Sequence, residues 1–200
     1  CIPSKTLIAN AKAAFHTQNL NKKSILISSK PTIDFSEIAK DISKIKDKIA
    51  PHDSKERFEK LGVNVIREQA KFSGRHQIIS DTVKVNFKYA VIATGTKPIV
   101  PDIPGLGGLP YFTNETIFSL SELPKHLIIV GGGLIGIELA QAFKRLGSQV
   151  SVIEANSILQ NQDSEFIKTV RETLVLEGVV FHERTSIQKI SAKNKDLLIK

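Results

Sequence analysis

Residues 127–154, LIIVGGGLIGIELAQAFKRLGSQVSVIE, constrain the fold more than any other stretch of the chain. Four apolar residues, Leu127, Ile128, Ile129 and Val130, suit a strand buried on both faces. Gly131, Gly133 and Gly136 follow in G-x-G-x-x-G spacing. The first glycine allows a tight turn, the second lets the backbone approach a pyrophosphate, and the third lets helix and strand pack closely. The spacing predicts a helix over 134–146, with Leu134 and Ile135 in its first turn. Its N-terminal N–H groups and positive dipole end face the phosphates. Gly147 ends it with a left-handed turn. Residues 150–153 form the next strand, and Glu154 closes it, 18 residues after Gly136. A carboxylate there can accept hydrogen bonds from both hydroxyls of an adenosine ribose. The glycines alone would be a weak signal. With the strand before, the helix after and the acid at this distance, they point to a dinucleotide site. The blander alternative is a glycine-rich turn in a flavodoxin-like domain.

The remaining segments fit an α/β chain. Pro3 suits a first helical turn, and alanines at 9, 11, 13 and 14 favour helix, so residues 6–19 read as one. Cys1 would then stand at a helix N-terminus with Lys5 one turn away, a setting that favours thiolate. An inert terminal cysteine is the competing reading. Residues 24–28 suit a short strand. Asp34 or Ser36 can cap a helical region to about Lys60, with Phe35, Ile38, Ile42, Ile45 and Ile49 on one face and Pro51 dividing it. Strands are expected at 63–66, 70–72, 77–79 and 82–87. The alternation in the last indicates an antiparallel ribbon with one wet face. Residues 89–95, YAVIATG, read as a buried strand whose small C-terminal residues leave room for a ligand.

Residues 96–110 carry four prolines and three glycines, the composition of a crossing between domains. A short helix is expected within 113–123. After Glu154, residues 163–176 read as a helix with Phe166, Val170 and Leu174 inward. Residues 179–182 then form a third parallel strand. A hairpin over 186–199 turns at about Asn194.

Composition narrows the function classes. Two hundred residues with 41% apolar and 24% charged side chains suit a soluble globular protein with a real core. The chain contains no methionine, position 1 included, so an excerpt or a processed product is expected. Residues 1–30 show no signal peptide. No membrane span is expected, because the longest apolar run, 127–143, carries three consecutive glycines and Glu138. One cysteine allows neither an intrachain disulfide nor a cysteine-built metal cluster, and no metal site is expected. The net charge is +8, and many of the basic residues sit at Lys40, Lys44, Lys46, Lys48, Lys55, Arg57 and Lys60, interleaved with acids. A solvated helix face explains that better than a nucleic-acid surface, which would need stacking aromatics nearby.

Three separated motifs share the order seen in one family. CIPSK precedes a helix, VIATG precedes a proline-rich crossing, and GGGLIGIELA ends in VIE. The chain resembles the flavin-dependent pyridine nucleotide–disulfide oxidoreductases, in the branch of dihydrolipoamide dehydrogenase and mercuric reductase. HDSKERFEKLGV is similar to mercuric-reductase-like members. The resemblance implies a Rossmann-like, three-layer FAD/NAD(P)-binding fold with two adjacent, truncated dinucleotide-binding domains. These are 1–120 for FAD and 121–200 for NAD(H). Cys1 matches the second cysteine of the family's redox motif, which lies against the flavin as thiolate. Lys5 matches the motif's lysine, and Glu138 matches a glutamate near nicotinamide and flavin. An ion pair between Lys5 and Glu138 across the domain contact is therefore expected, and its burial would mark function. Ala93, Thr94 and Gly95 match the family's flavin-apposed A-T-G, and Ala70 matches a small residue at the adenine. Leu134 stands where some members carry a gating tyrosine.

The activity implied is electron transfer between NAD(H) and a dithiol or disulfide, through FAD and a cysteine pair. A protein-bound lipoyl group is one candidate partner. A mercuric-reductase-like enzyme and a non-catalytic NAD(H)-binding module are the alternatives, and this stretch of chain is expected to bind nucleotide without turnover. Glu154, with no arginine in the next dozen residues, favours NAD over NADP. The resemblance also implies a cytoplasmic homodimer that binds no nucleic acid.

Overall fold

The computed structural model describes residues 1–20, 32–193 and 196–200. Along these run α1 (Ile2–Gln18), α2 (Phe35–Ile49), α3 (Lys55–Lys60), β1 (Lys71–Gly74), β2 (Gln77–Ile79) and β3 (Lys84–Asn86). They continue with β4 (His126–Val130), α4 (Leu134–Leu146), β5 (Gln149–Glu154), α5 (Ser164–Leu176), β6 (Val180–Glu183), β7 (Ile190–Lys193) and β8 (Asp196–Ile199). Contacts divide the chain into two units. One joins Cys1–Lys46 with Pro98–Lys200, and the other is Asp47–Lys97.

The larger unit is built on a parallel sheet in the order β4-β5-β6. Register runs from His126 opposite Gln149 to Val130 opposite Ile153, and from Ser151 opposite Val180 to Glu154 opposite Glu183. Parallel neighbours need crossovers, and α4 and α5 supply them. Gly147 ends α4 at φ 116°, the left-handed cap expected for it. Asp163 caps α5 by accepting the Glu165 N–H at 2.9 Å.

Ile137, Ala140, Phe143 and Leu146 from α4 meet Val150 and Val152 from β5, with Ile158, Leu174 and Val179 completing the core. Leu7 and Ala11 of α1 join it, as do Phe35, Ile38 and Ile42 of α2. The Phe35 and Phe143 rings lie 6.0 Å apart. Asp34 caps the start of α2. Hydrogen bonds from the Ser36 hydroxyl and N–H hold its carboxyl below the usual carboxylate range.

The smaller unit carries an antiparallel sheet in the order β1-β2-β3, the ribbon that its alternation predicts, but all three β3 residues are exposed rather than one face alone. Pro51 divides the helical region as expected. A 3-10 turn spans Ala50–Asp53, and Ser54 caps α3 by accepting the Arg57 N–H. Glu68 reaches the β2–β3 turn, where the hydroxyls of Ser80 and Thr82 and the Thr82 N–H keep its carboxyl below its ordinary range.

Several expectations need correction. Residues 89–95 form no strand and are exposed, Val91 at 91%. A parallel strand exists only through partners distant in sequence, and this unit offers none to it. Residues 63–66 are likewise not a strand. β4 is half-buried rather than covered on both faces, because it is an edge strand of its sheet and Val130 is 50% exposed. Phe166 points outward. The buried stripe of α5 runs through Ile167, Val170 and Leu174, one residue round the helix. Within 113–123 only a 3-10 turn forms, at Ile117–Ser119. The strand expected at 24–28 and the turn at Asn194 lie outside the described residues. Among the described residues no helix is long and apolar enough to cross a membrane.

Candidate nucleotide site and thiol helix

β4 delivers the chain to Gly131, whose N–H continues the sheet by donating to the Ile153 carbonyl at 2.8 Å. Gly131 then turns at φ 109°, a conformation that a side chain resists. Gly136 is held by close approach. A Cβ there would lie 2.3 Å from the Gly131 carbonyl oxygen and 3.3 Å from Ile129 Cγ2. Gly133 differs, since a Cβ there would meet nothing within 4 Å. Its openness faces the ligand space. Gly133 is the N-cap of α4 without a side-chain cap, and the first turn carries no acid. The leading N–H groups of α4 therefore remain available to an anion.

These groups open into a cavity of about 480 Å³ that also takes in Leu134, Ile135 and Glu154. Glu154 is fixed before any ligand arrives. One carboxylate oxygen accepts the Gly132 N–H at 2.7 Å, and the other accepts the Asn156 N–H at 2.8 Å. Each oxygen retains acceptor capacity for a hydroxyl. Sequence reasoning missed the opposite wall, where Ser157, Leu159, Gln160, Asn161 and Gln162 line the cavity. These residues have no periodicity. The available signal was topological: a loop leaving the carboxyl end of β5 emerges where ligands bind such sheets. Among the described residues no cation lines the cavity.

Cys1 is exposed and forms the N-cap of α1. One turn on, Lys5 Nζ lies 2.6 Å from Glu138 Oε1. The expected ion pair is thus formed, but its side chains are 59% and 44% exposed. The expectation tied its significance to burial, and that argument lapses. An exposed pair contributes about 0–1 kcal/mol.

A stronger clamp ties the last turns of α4 to the C-cap of α5, with Phe15 of α1 beside it. Arg145 forks onto Glu177 at 2.8 and 2.5 Å, Gln141 adds a bond to Glu177 at 3.0 Å, and the guanidinium stacks 4.5 Å from the Phe15 ring centroid. Lys5 meets Glu138 and Phe15 meets Arg145, so α1 and α4 run parallel and their N-termini share one end. A cavity of about 250 Å³ lies between them.

Ala70, Ala93, Thr94 and Gly95 belong to the other unit and are exposed. Gly95 has φ 72° and open space beside it. These residues offer a surface that backbone and small side chains leave free, but neither cavity includes them. Among the described residues there is no cluster of three or more metal-ligating side chains.

The profile of the family described as pyridine nucleotide-disulphide oxidoreductase matches residues 1–200. The chain belongs to this family. Mercuric reductase from Streptomyces lividans is 28% identical over 203 residues, covering 99% of this chain and 43% of the relative. Dihydrolipoyl dehydrogenase from Buchnera aphidicola is 30% identical over 210 residues, covering 100% of this chain and 43% of the relative. Among solved structures, the HOCl-induced flavoprotein disulfide reductase RclA from Escherichia coli superposes with a TM-score of 0.76 at 26% identity. That match covers 100% of this chain and 42% of RclA. The chain thus spans less than half the length of these relatives. Membership establishes the α/β Rossmann-like class and implies a flavin, FAD.

The residues present fit a dinucleotide phosphate well: an open glycine cradle, free helix N–H groups and a fixed acid converge on one cavity. For the flavin they show no such convergence: residues 93–95 are exposed and line neither cavity.

Proposed function

We propose that the protein carrying this chain is an NAD(H)-linked flavin disulfide oxidoreductase of the dihydrolipoamide dehydrogenase kind. In this proposal, residues 1–120 contribute to the flavin domain and 121–200 to the NAD(H) domain of a cytoplasmic homodimer. The overall reaction joins NADH, a proton and a disulfide to give NAD⁺ and two thiols, or runs in reverse. When bound, FAD supplies the two-electron relay between nicotinamide and thiols. The chain's own residues bind and orient. The first turn of α4 and Gly133 receive the pyrophosphate, and Glu154 accepts from the adenosine ribose. Cys1 serves as the thiol nearest the flavin, at the N-terminus of α1. Lys5 and Glu138 stand between the thiol and nucleotide ends of the two parallel helices. Ala70, Ala93, Thr94 and Gly95 flank the flavin dinucleotide.

The observation that carries this reading is the lining of the larger cavity. Among the described residues it holds the anchored carboxylate of Glu154 and no cation. A ribose hydroxyl can donate to that carboxylate, whereas a 2′-phosphate would be repelled by it and would find no counter-charge among the described residues. In the intact protein, kcat/KM for NADH is expected to exceed that for NADPH by about 100-fold, equivalent to about 2.7 kcal/mol. A preference for NADPH would defeat the assignment. It would instead favour the second reading, a mercuric reductase, to which the similarity with mercuric reductases points. A protein that binds NADH but reduces no disulfide would be the non-catalytic module.

A further inference from the structure

Glu154 and Glu183 stand opposite one another in register at the carboxyl ends of β5 and β6. Two like charges paired across strands destabilise a sheet unless one is neutralised. Arg171 of α5 does this. Its guanidinium contacts both oxygens of Glu183, with Nη2 at 2.7 Å from Oε1. The net negative charge at the strand ends is thereby left to Glu154. Glu183 is 16% exposed and lies outside the cavity lining, so it does not meet a nucleotide there.

Its Oε1 has a second partner, the Ile158 N–H at 2.7 Å. Ile158 is fully buried, and its Cγ2 closes on Gly132 so tightly that a Cβ on that glycine would lie 2.7 Å away. The next residue, Leu159, is held at φ 51°, which a leucine adopts only under restraint, and donates its N–H to the Gly132 carbonyl at 2.9 Å. Gly132 in turn donates to Glu154. The hydrogen bonds therefore form a chain from Glu183 through Ile158 and Leu159 to the glycine turn and Glu154. The same segment carries the wall residues Gln160, Asn161 and Gln162.

We propose that Glu183, neutralised by Arg171, is a positioning residue for the nucleotide site, fixing the wall at residues 157–162 through the Ile158 N–H. This rests on the nucleotide-site reading above and adds a residue to it. Its function requires an acceptor at Oε1, and the charge is secondary. Glu183→Gln retains the acceptor, while Glu183→Leu removes it and leaves the Ile158 N–H unpaired.

The test compares the two variants in the intact protein, using NADH as the probe. Equilibrium titration should give a Kd for NADH about tenfold higher in Glu183→Leu and within about threefold of wild type in Glu183→Gln. Amide hydrogen exchange at Ile158 and Leu159 should accelerate in the leucine variant alone. An unchanged Kd in Glu183→Leu, or a glutamine variant as impaired as the leucine one, overturns the proposal. If wild type itself binds no NADH, the nucleotide reading fails. The exchange rates then still report on the anchor, and unchanged protection in Glu183→Leu overturns it separately.

Discussion

Gly136→Ala and Gly133→Ala are expected to separate folding from binding at two positions of one glycine motif. At Gly136 an added Cβ falls 2.3 Å from a backbone carbonyl, which no rotamer change relieves. Ordinary contact lies near ~3.5 Å, so the start of α4 must move from β4 by roughly 1 Å. Overpacking of this kind costs about 1–3 kcal/mol. It also displaces the N–H groups that receive the pyrophosphate, so NADH affinity should fall at least about tenfold. At Gly133 the backbone is extended, with φ −74° and ψ 179°, and an added Cβ meets nothing. Gly133→Ala should therefore change stability by less than about 1 kcal/mol. Its methyl group would nevertheless occupy the space through which the phosphates approach, and NADH binding should weaken as much as in Gly136→Ala. Urea denaturation and NADH titration of both variants check this. Tight NADH binding by Gly133→Ala would place the phosphates elsewhere.

Arg145→Met is expected to have the largest effect on stability. Glu177 has a side chain only 7% exposed and accepts three hydrogen bonds, two of them from Arg145. Removing the guanidinium leaves a buried carboxylate with Gln141 as its one remaining partner among the described residues. Breaking a buried pair from one side costs about 3–5 kcal/mol. The contact with Phe15 is lost as well, worth about 0.5–2 kcal/mol. Unfolding free energy should fall by about 3 kcal/mol or more, measured by denaturant melts. Arg145→Met combined with Glu177→Leu should recover most of that loss, because the buried charge is then gone. A single variant within about 1 kcal/mol of wild type would show that the pair is exposed in solution.

Legibility in the sequence followed the range of the interactions involved. The order and type of the elements from β4 to β6 could be read from local signals: apolar runs, the glycine spacing, a left-handed glycine at 147 and an N-cap at Asp163. Residues 89–95 look identical to a buried strand locally. What makes a strand is a partner, and no local pattern reports that. An i, i+4, i+8 series with Val170 and Leu174 points Phe166 inward. The core selected Ile167 instead, a choice that depends on how α5 sits on the sheet. The pairing of Lys5 with Glu138 followed from family resemblance, but its exposure did not, since burial depends on whatever surrounds both helices. The wall at residues 157–162 escaped notice for the opposite reason. Glutamines and asparagines without periodicity read as an ordinary loop, and the acceptor that organises them, Glu183, lies 25 residues beyond Ile158.

The glycine turn and Glu154 are proposed to form a site for the ADP half of NAD(H). Equilibrium binding of NADH and NADPH to wild type and Glu154→Ala tests it most directly. Wild type is expected to bind NADPH about 100-fold more weakly than NADH. In Glu154→Ala that gap should narrow to less than about tenfold, as NADH loses its ribose acceptor and NADPH its repulsion. Equal affinities in wild type, or an unchanged ratio in the variant, would contradict it.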